Sequence, residues 1–264
     1  MKKVAIFMSD FHLGQGDRME EFHADKEFSE LLCRLSQEHA EDKVDLVLLG
    51  DVMDLWTTIT DDTEVNAQTP DDVQIYFTDD CGSPRKAGAK ALTEELKKVK
   101  AVTEKHPTFF EALGLFLAHD HRNRKLWYVP GNHDHSVVKE GIQQKVCESI
   151  LTARVVAKAG VGKEELKRRI VFENFYYDDD DVLQVYAEHG NQLTFGGAFK
   201  YKHFDEFGEE CPGYFELKLV WNRLERRHPE LDNVFMGALD PAMWPGLFWW
   251  FLVKGHFGAF WTLR

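Results

Sequence analysis

The sequence predicts an α/β fold in which a parallel or mixed sheet is covered by helices. Two observations predict it. Short apolar runs alternate with helix-periodic segments through the first half of the chain, and each of those runs ends in a polar cluster that carries Asp or His. Hydrophobic residues make up 44% of 264, enough to bury a substantial core.

The elements follow in order. Met1-Lys2-Lys3 leads into an apolar run too short for a secretory signal, so Val4–Met8 reads as a buried strand. From about Glu20 to Glu41, Phe22, Phe28, Leu31, Leu32 and Leu35 recur at helical spacing and predict a crossover helix. Val44–Leu49 is the second strand. The segment 57–85, from Thr57 to Arg85, is acidic and holds Pro70, Gly82 and Pro84; it reads as a surface insertion, an ordinary solvated loop. Gly88–Lys105 is helical, and Phe109–Leu117 continues as helix after Pro107. Leu126–Val129 is the third strand, ended by Pro130-Gly131. Ile170–Tyr177 and Val182–Ala187 predict a hairpin around Asp178-Asp179-Asp180-Asp181, read as a solvated turn because EF-hand spacing is absent. Residues 199–264 form a helical, aromatic-rich extension, with an amphipathic helix over Tyr214–Arg227.

Charge and cysteine narrow the function classes. A formal net charge of -13 argues against a general nucleic-acid binder, a nuclease included, yet allows phosphate binding through bound cations. Cys33, Cys81, Cys147 and Cys211 are scattered, which predicts reduced thiols in a cytoplasmic protein. Met243–Val253 is the most apolar stretch but falls short of the ~20 residues a membrane span needs. Its Trp and Phe residues beside Lys254 fit peripheral membrane contact, and equally a core helix.

The chemistry sits at the ends of the apolar runs. Asp10-Phe11-His12 follows the first strand, Gly50-Asp51-Val52-Met53-Asp54 the second, and Gly131-Asn132-His133-Asp134 the third. Glu188-His189-Gly190-Asn191 follows Val182–Ala187. The carboxyl ends of strands in an open α/β sheet line one crevice, so these clusters should converge. Their carboxylates and imidazoles suit divalent transition metals. Gly50, Gly131 and Gly190 permit tight turns and close approach to a ligand. His119-Asp120-His121 has no strand before it and reads as a polar helix end; His135 reads as surface or as a substrate contact beside His133.

These four clusters resemble the calcineurin-like metallophosphoesterase superfamily, whose motifs run D-x-H, G-D-x-x-D, G-N-H-D/E, H and G-H-x-H, over roughly residues 4–192. The resemblance implies a sandwich of two mixed sheets flanked by helices, built as one domain over 1–264. It implies two divalent metal ions, manganese first, with iron, zinc, nickel or cobalt as alternatives. Asp10 and His12 would bind one ion, Asn132 and His189 the other, and Asp51 both. His133 would face the scissile phosphate, with Asp54 holding its ring. Two cations about 3.5–4 Å apart clamp phosphate oxygens and activate a bridging water for in-line attack on a phosphoester substrate.

The sequence departs from that pattern at its end. No G-H-x-H occurs; Gly255-His256-Phe257-Gly258 is the nearest stretch, with glycine in place of the second histidine. The expectation is a chain truncated at its carboxyl terminus. The alternative is a non-catalytic or single-metal scaffold protein of the same fold. The sequence sets neither the substrate, nor monoester against diester, nor the oligomeric state.

Overall fold

Continuous apolar runs call for a sheet with both faces covered. In the computed structural model of the protein this holds for Val44–Leu48, whereas Val4–Met8, read as a buried strand, is only half-buried, with Phe7 exposed. The structure describes residues 2–17, 20–60, 89–180, 183–193, 197, 211, 213, 214 and 217. The chain divides into two compact units, the first Met1–Gly16, Glu20–Thr58 and Glu95–Asn191, the second Asp17–Met19, Ile59–Glu94 and Gln192–Arg264. Most of the second lies outside the described residues, as do 61–85 of the acidic segment, the Tyr214–Arg227 helix beyond isolated positions, Met243–Val253 and His256. In that unit Cys211 and Tyr214 are buried, and the Tyr214 N–H donates to the Cys211 carbonyl at 3.1 Å.

In the first unit four strands, β1 (Lys3–Met8), β2 (Lys43–Leu49), β3 (Arg124–Val129) and β4 (Ile170–Phe172), pair in parallel in that order. The register sets Val4 beside Val44, Leu46 beside Leu126 and Tyr128 beside Phe172, so all four carboxyl ends share one edge. A hairpin of β5 (Tyr176–Asp180) and β6 (Leu183–Ala187) forms a second, antiparallel sheet. Side chains alternate between faces. Val47, Val129 and Tyr176 meet in one buried cluster with Ala5, Leu49, Trp127, Val185 and Ala187, which sets the hairpin against one face of the parallel sheet.

Helices flank the sheet. Between the strands run α1 (Asp25–Glu38), α2 (Ala89–Lys105) and α3 (Pro107–His119); after β3 come α4 (Glu140–Ile150), α5 (Ala153–Ala159) and α6 (Lys163–Lys167). Pro107 opens α3, where its missing N–H costs nothing. The helix is apolar almost all round, with Phe109, Phe110, Leu113, Phe116 and Leu117 buried among α1, α4, α5 and β3. Phe109 stacks on Phe28 of α1, ring centroids 4.0 Å apart. Each such ring contributes about 1.5–3 kcal/mol of burial.

Three elements differ from expectation. The helix drawn from Glu20 to Glu41 is only α1. Glu20 is turned inward instead, accepting from the N–H groups of Gly14 (3.1 Å), Gly16 (3.0 Å) and Phe22 (3.1 Å), which holds that stretch out of a helix. At the other end the buried Arg124 guanidinium collects the carbonyls of Ser36, His39 and Asp42 and stops the helix there. The run Ile170–Tyr177 is not one hairpin strand: Ile170–Phe172 extends the parallel sheet, and Glu173-Asn174, poor strand formers, break it before β5. Nor is the Asp178–Asp181 cluster simply a solvated turn. β5 runs through Asp180, and Asp178 is buried on the face of Tyr176, two residues earlier. There the Tyr176 hydroxyl donates to Asp45 at 3.1 Å and lies 3.4 Å from Asp178, whose other oxygen pairs with Lys3 at 2.5 Å. Asp181 lies outside the described residues.

Among the described residues no helix is long and apolar enough to cross a membrane. Among the described residues Cys33, Cys147 and Cys211 are free thiols, and Cys81 lies outside those residues.

Glu20 also meets the buried His106, Nε2 at 3.1 Å, while His106 Nδ1 faces Asp25 at 3.0 Å. Burial opposes the charge on His106, but the hydrogen bonds and charges of Glu20 and Asp25 outweigh it and raise its pKa above the ordinary 6.5. Burial likewise opposes the Glu20 carboxylate, yet His106 and the Gly14 N–H hold its pKa below 4.5. His106 therefore adds stability that is full below 6.5 and fades as pH rises through its raised value. The Glu20 contribution is full above 4.5 and fades as pH falls through its lowered one. His106→Gln should cost up to about 3–5 kcal/mol. The loss, read as urea midpoints against pH, should peak between the two ordinary values and narrow on both sides; a pH-independent difference would contradict the pairing.

Candidate metal centre

The parallel ladder does not stop at the last strand residues. Beyond β1 and β2 the pairing continues through irregular backbone: Asp10 N–H donates to Gly50 O (3.2 Å), His12 N–H to Asp51 O (2.9 Å) and Leu13 N–H to Val52 O (3.0 Å). Leu13 and Met53 form an isolated parallel bridge, and both are fully buried. Asp10, His12 and Asp51 have φ of 56°, 48° and 50°, the left-handed region that L-residues avoid. Such conformations cost of order 1–3 kcal/mol each and cluster at functional sites. Phe11, between the two donors of Asp10-Phe11-His12, packs edge-on against Phe22, Phe28 and Phe109 at 5.0–5.8 Å and so anchors the loop to α1 and α3.

Asp134, whose motif was visible in the sequence but whose role was not, fixes the third loop. It is fully buried. One oxygen accepts from the N–H groups of Val52 (2.9 Å) and Met53 (3.3 Å) and from the Tyr128 hydroxyl (2.7 Å); the other accepts from Gly131 N–H (2.7 Å). Burial, then the charge of Asp51, raises the Asp134 pKa. Gly131 in turn lies flat against Asp51, where a Cβ would collide with the Asp51 carboxylate and amide. His133 N–H donates to Asp51 Oδ1 at 2.9 Å. Asn132, between these two residues, is thereby held next to Asp51.

Two imidazoles have one nitrogen fixed and the other left for the site. His189 Nδ1 can only donate to the Leu49 carbonyl (3.0 Å), which turns Nε2 toward Asp51 Oδ2 at 3.1 Å. Its ring lies so close over Gly50, φ 83°, that a Cβ there would overlap it. His133 Nδ1 is held by Asp54 Oδ1 at 2.9 Å. Asp54 is itself locked, accepting from the N–H groups of Trp56 (3.1 Å) and Thr57 (3.0 Å) across a tight turn. Metal-binding histidines commonly have their second nitrogen tied to a carbonyl or carboxylate in this way.

The donors form two groups that share one residue. Asp51, His12 and His133 offer atoms within 4.8 Å of one another, and so do Asp51, Asp10 and His189. His12 Nε2 also lies 3.8 Å from Asp51 Oδ2 and 4.0 Å from Asp10 Oδ1. Asp10, His12, Asp51, Asp54, His133 and His189 are thus brought together at the carboxyl ends of β1, β2 and β3 and just past β6, and Asn132 lies in the same loop between Gly131 and His133. The grouping differs in detail from the one the resemblance implies, since Asp10 falls with His189 and His133 with His12.

The field is cation-seeking. For His12, burial disfavours charge, but Asp54 and Asp51 prevail and lift its pKa to about 9. The hydrogen bond it donates to Asp51 lifts His189 to about 9 against its burial. His133 is raised by Asp54 and Asp51 despite burial. Burial would raise both carboxylates, yet His189 and His133 hold Asp51 below its ordinary range, and His133 and His12 hold Asp54 well below. The charges that retain protons here would equally favour a divalent cation in their place. Oxygen and imidazole donors, pre-turned nitrogens and glycines packed too tightly for a Cβ fit a metal site.

The polar helix end at His119 is as expected: Asp120 follows α3 and accepts from Arg122 N–H and Asn123 Nδ2. His135 is half-buried, its pKa pressed down to about 4 by burial and then by Lys139.

Comparison of the chain with family models, curated proteins and solved structures gives no match in any of the three.

Gly131→Ala should push the Asp51 carboxylate out of place. A loss of about 1–3 kcal/mol in unfolding free energy is expected from the overpacking, together with weaker Mn²⁺ binding in isothermal titration. Unchanged Mn²⁺ affinity would show that Asp51 does not need the bare Gly131 backbone.

Proposed function

We propose that the protein is a metal-dependent hydrolase of phosphoesters with a two-metal centre on a metallophosphoesterase-type sandwich. The observation that carries this reading is the sharing of Asp51 by two donor groups at the carboxyl ends of parallel strands. With the ligands divided as the resemblance implies, and not as the observed groups fall, Asp10, His12 and Asp51 would hold one cation and Asp51, Asn132 and His189 the other, with manganese the first candidate. When bound, the pair of cations supplies positive charge to phosphoryl oxygens and acidifies water.

The remaining work falls to the chain's own groups. Asp51 and Asp10 contribute anionic oxygens, while Asn132 adds a neutral one and so preserves net positive charge for an anionic substrate. His189 is oriented by the Leu49 carbonyl and needs no reorganisation to present Nε2. His133, with Nδ1 tied to Asp54, has only Nε2 to offer, and its role is to hold a proton there for the leaving oxygen. The opposite end of the parallel sheet carries Lys3, Asp45 and Asp178, a paired network with no comparable cluster of histidines among the described residues.

A second reading, a non-catalytic metal-binding or scaffold protein of the same fold, rests on Gly255-His256-Phe257-Gly258, where glycine stands in place of the second histidine of G-H-x-H. Manganese content by elemental analysis, combined with turnover of a chromogenic phosphomonoester and phosphodiester, separates the two. Metal uptake with no turnover would select the scaffold; neither uptake nor turnover would reject both.

Two substitutions test the assignments. Asp51→Asn should strip more metal than His12→Ala or Asn132→Ala, because it serves both groups; full occupancy in Asp51→Asn would remove the shared-ligand assignment. His133→Ala should keep its metal and lose about 10²–10⁴-fold in turnover. Metal loss equal to that of Asp51→Asn would make His133 a ligand instead.

A further inference from the structure

We infer that Trp56 is a positioning residue for His133: its indole, stacked on the imidazole, fixes the plane in which the free ring nitrogen lies. What that nitrogen does rests on the hydrolase reading above; where it points does not.

A hydrogen bond anchors one atom of a ring and leaves the plane free to rock. The Asp54 carboxylate fixes His133 Nδ1 at 2.9 Å, and that alone does not set the direction of Nε2. The Trp56 ring supplies the second constraint, lying 4.1 Å from the His133 ring, centroid to centroid, at 25° between planes. The His12 ring meets His133 edge-on, at 4.7 Å and 90°. Trp56 is only 6% exposed, so its indole is itself held.

The local sequence explains why the constraints coincide. Asp54-Leu55-Trp56-Thr57 is a turn in which Asp54 Oδ1 accepts from the Trp56 N–H, the same oxygen that receives His133 Nδ1. The Thr58 hydroxyl closes the turn on the Asp54 carbonyl at 2.6 Å, and the buried Lys98 ammonium donates to the Leu55 carbonyl at 3.3 Å. One carboxylate therefore sets both the position of the imidazole and the position of the flat surface against it. An indole that only filled space would be replaceable by any apolar side chain. One that sets a plane is replaceable only by another flat ring.

That distinction supplies the test, made on the full chain. Trp56→Phe keeps a flat face and Trp56→Leu does not; thermal melts establish that both are folded, and elemental analysis that both take up manganese. With Zn²⁺ in place of paramagnetic manganese and ¹⁵N label at histidine, the His133 Nδ1–H resonance is assigned by its loss in His133→Asn. It should persist in the parent and in Trp56→Phe and be lost to exchange in Trp56→Leu. Turnover of the chromogenic phosphoester in Trp56→Leu should fall about 10²-fold in kcat with little change in KM, as expected for a misplaced group, and Trp56→Phe should restore most of it. Persistence of the resonance and of kcat in Trp56→Leu, or equal losses in both variants, would overturn the inference. If the parent turns over neither ester, the hydrolase reading fails, and the resonance still decides whether Trp56 holds the ring.

Discussion

The carboxylate of Asp134 accepts from three backbone N–H groups on two different loops and from the Tyr128 hydroxyl, and the geometry at the carboxyl ends of β2 and β3 depends on it. Burying a carboxylate is expensive unless its lone pairs are satisfied. Here all the compensation comes from groups that must otherwise be placed: Val52 and Met53 just after Asp51, and Gly131 just before Asn132. The cost of desolvation is thus offset by bonds that weld two loops into one rigid rim. Tyr128 completes the arrangement from inside the sheet, and burial together with Asp134 drives its hydroxyl pKa well up, so it remains a donor.

On that rim the backbone can sustain conformations it would not adopt alone. Asp10, His12 and Asp51 all sit at positive φ, and none is a glycine. Their strain is balanced by the extension of parallel pairing past the strand ends and by the Phe11 ring among Phe22, Phe28 and Phe109. The arrangement aims the side chains on either side of Phe11 at Asp51 while the half-buried aromatic one between them packs on the neighbouring rings. Local strain and hydrophobic anchoring are coupled within three residues of sequence.

Much of this was legible in the sequence. The three apolar runs became β1, β2 and β3 because continuous apolar segments of that length have few other stable fates. The polar clusters after them converge because parallel pairing leaves the chain no choice. What was hidden depends on tertiary partners. Arg124 is one more charged residue in the sequence, but it is buried as the cap of α1, which only a neighbouring helix end could reveal. Glu20 carries helix propensity, yet three backbone donors and His106 draw it inward. Asp178 seemed one of four equivalent turn carboxylates, and period-two alternation behind Tyr176 set it apart. Trp56 gave no signal at all, since nothing in a single sequence says that a tryptophan two residues after Asp54 will lie flat on a histidine from another loop.

The hairpin has a thermodynamic consequence. His189 follows β6 by two residues, and it reaches Asp51 only because Tyr176 is registered opposite Ala187. A slip of one residue along the strand moves the ring by about 3.3 Å and turns it to the other side. A cation held between Asp51 and His189 would therefore clip the small sheet to the large one. By mass action, ion concentration becomes a dial on the docking of the two sheets, as RT ln(1 + [L]/Kd). Opening of the hairpin and escape of the ion would be one event, so the off-rate of the metal would report the local unfolding rate of β5 and β6.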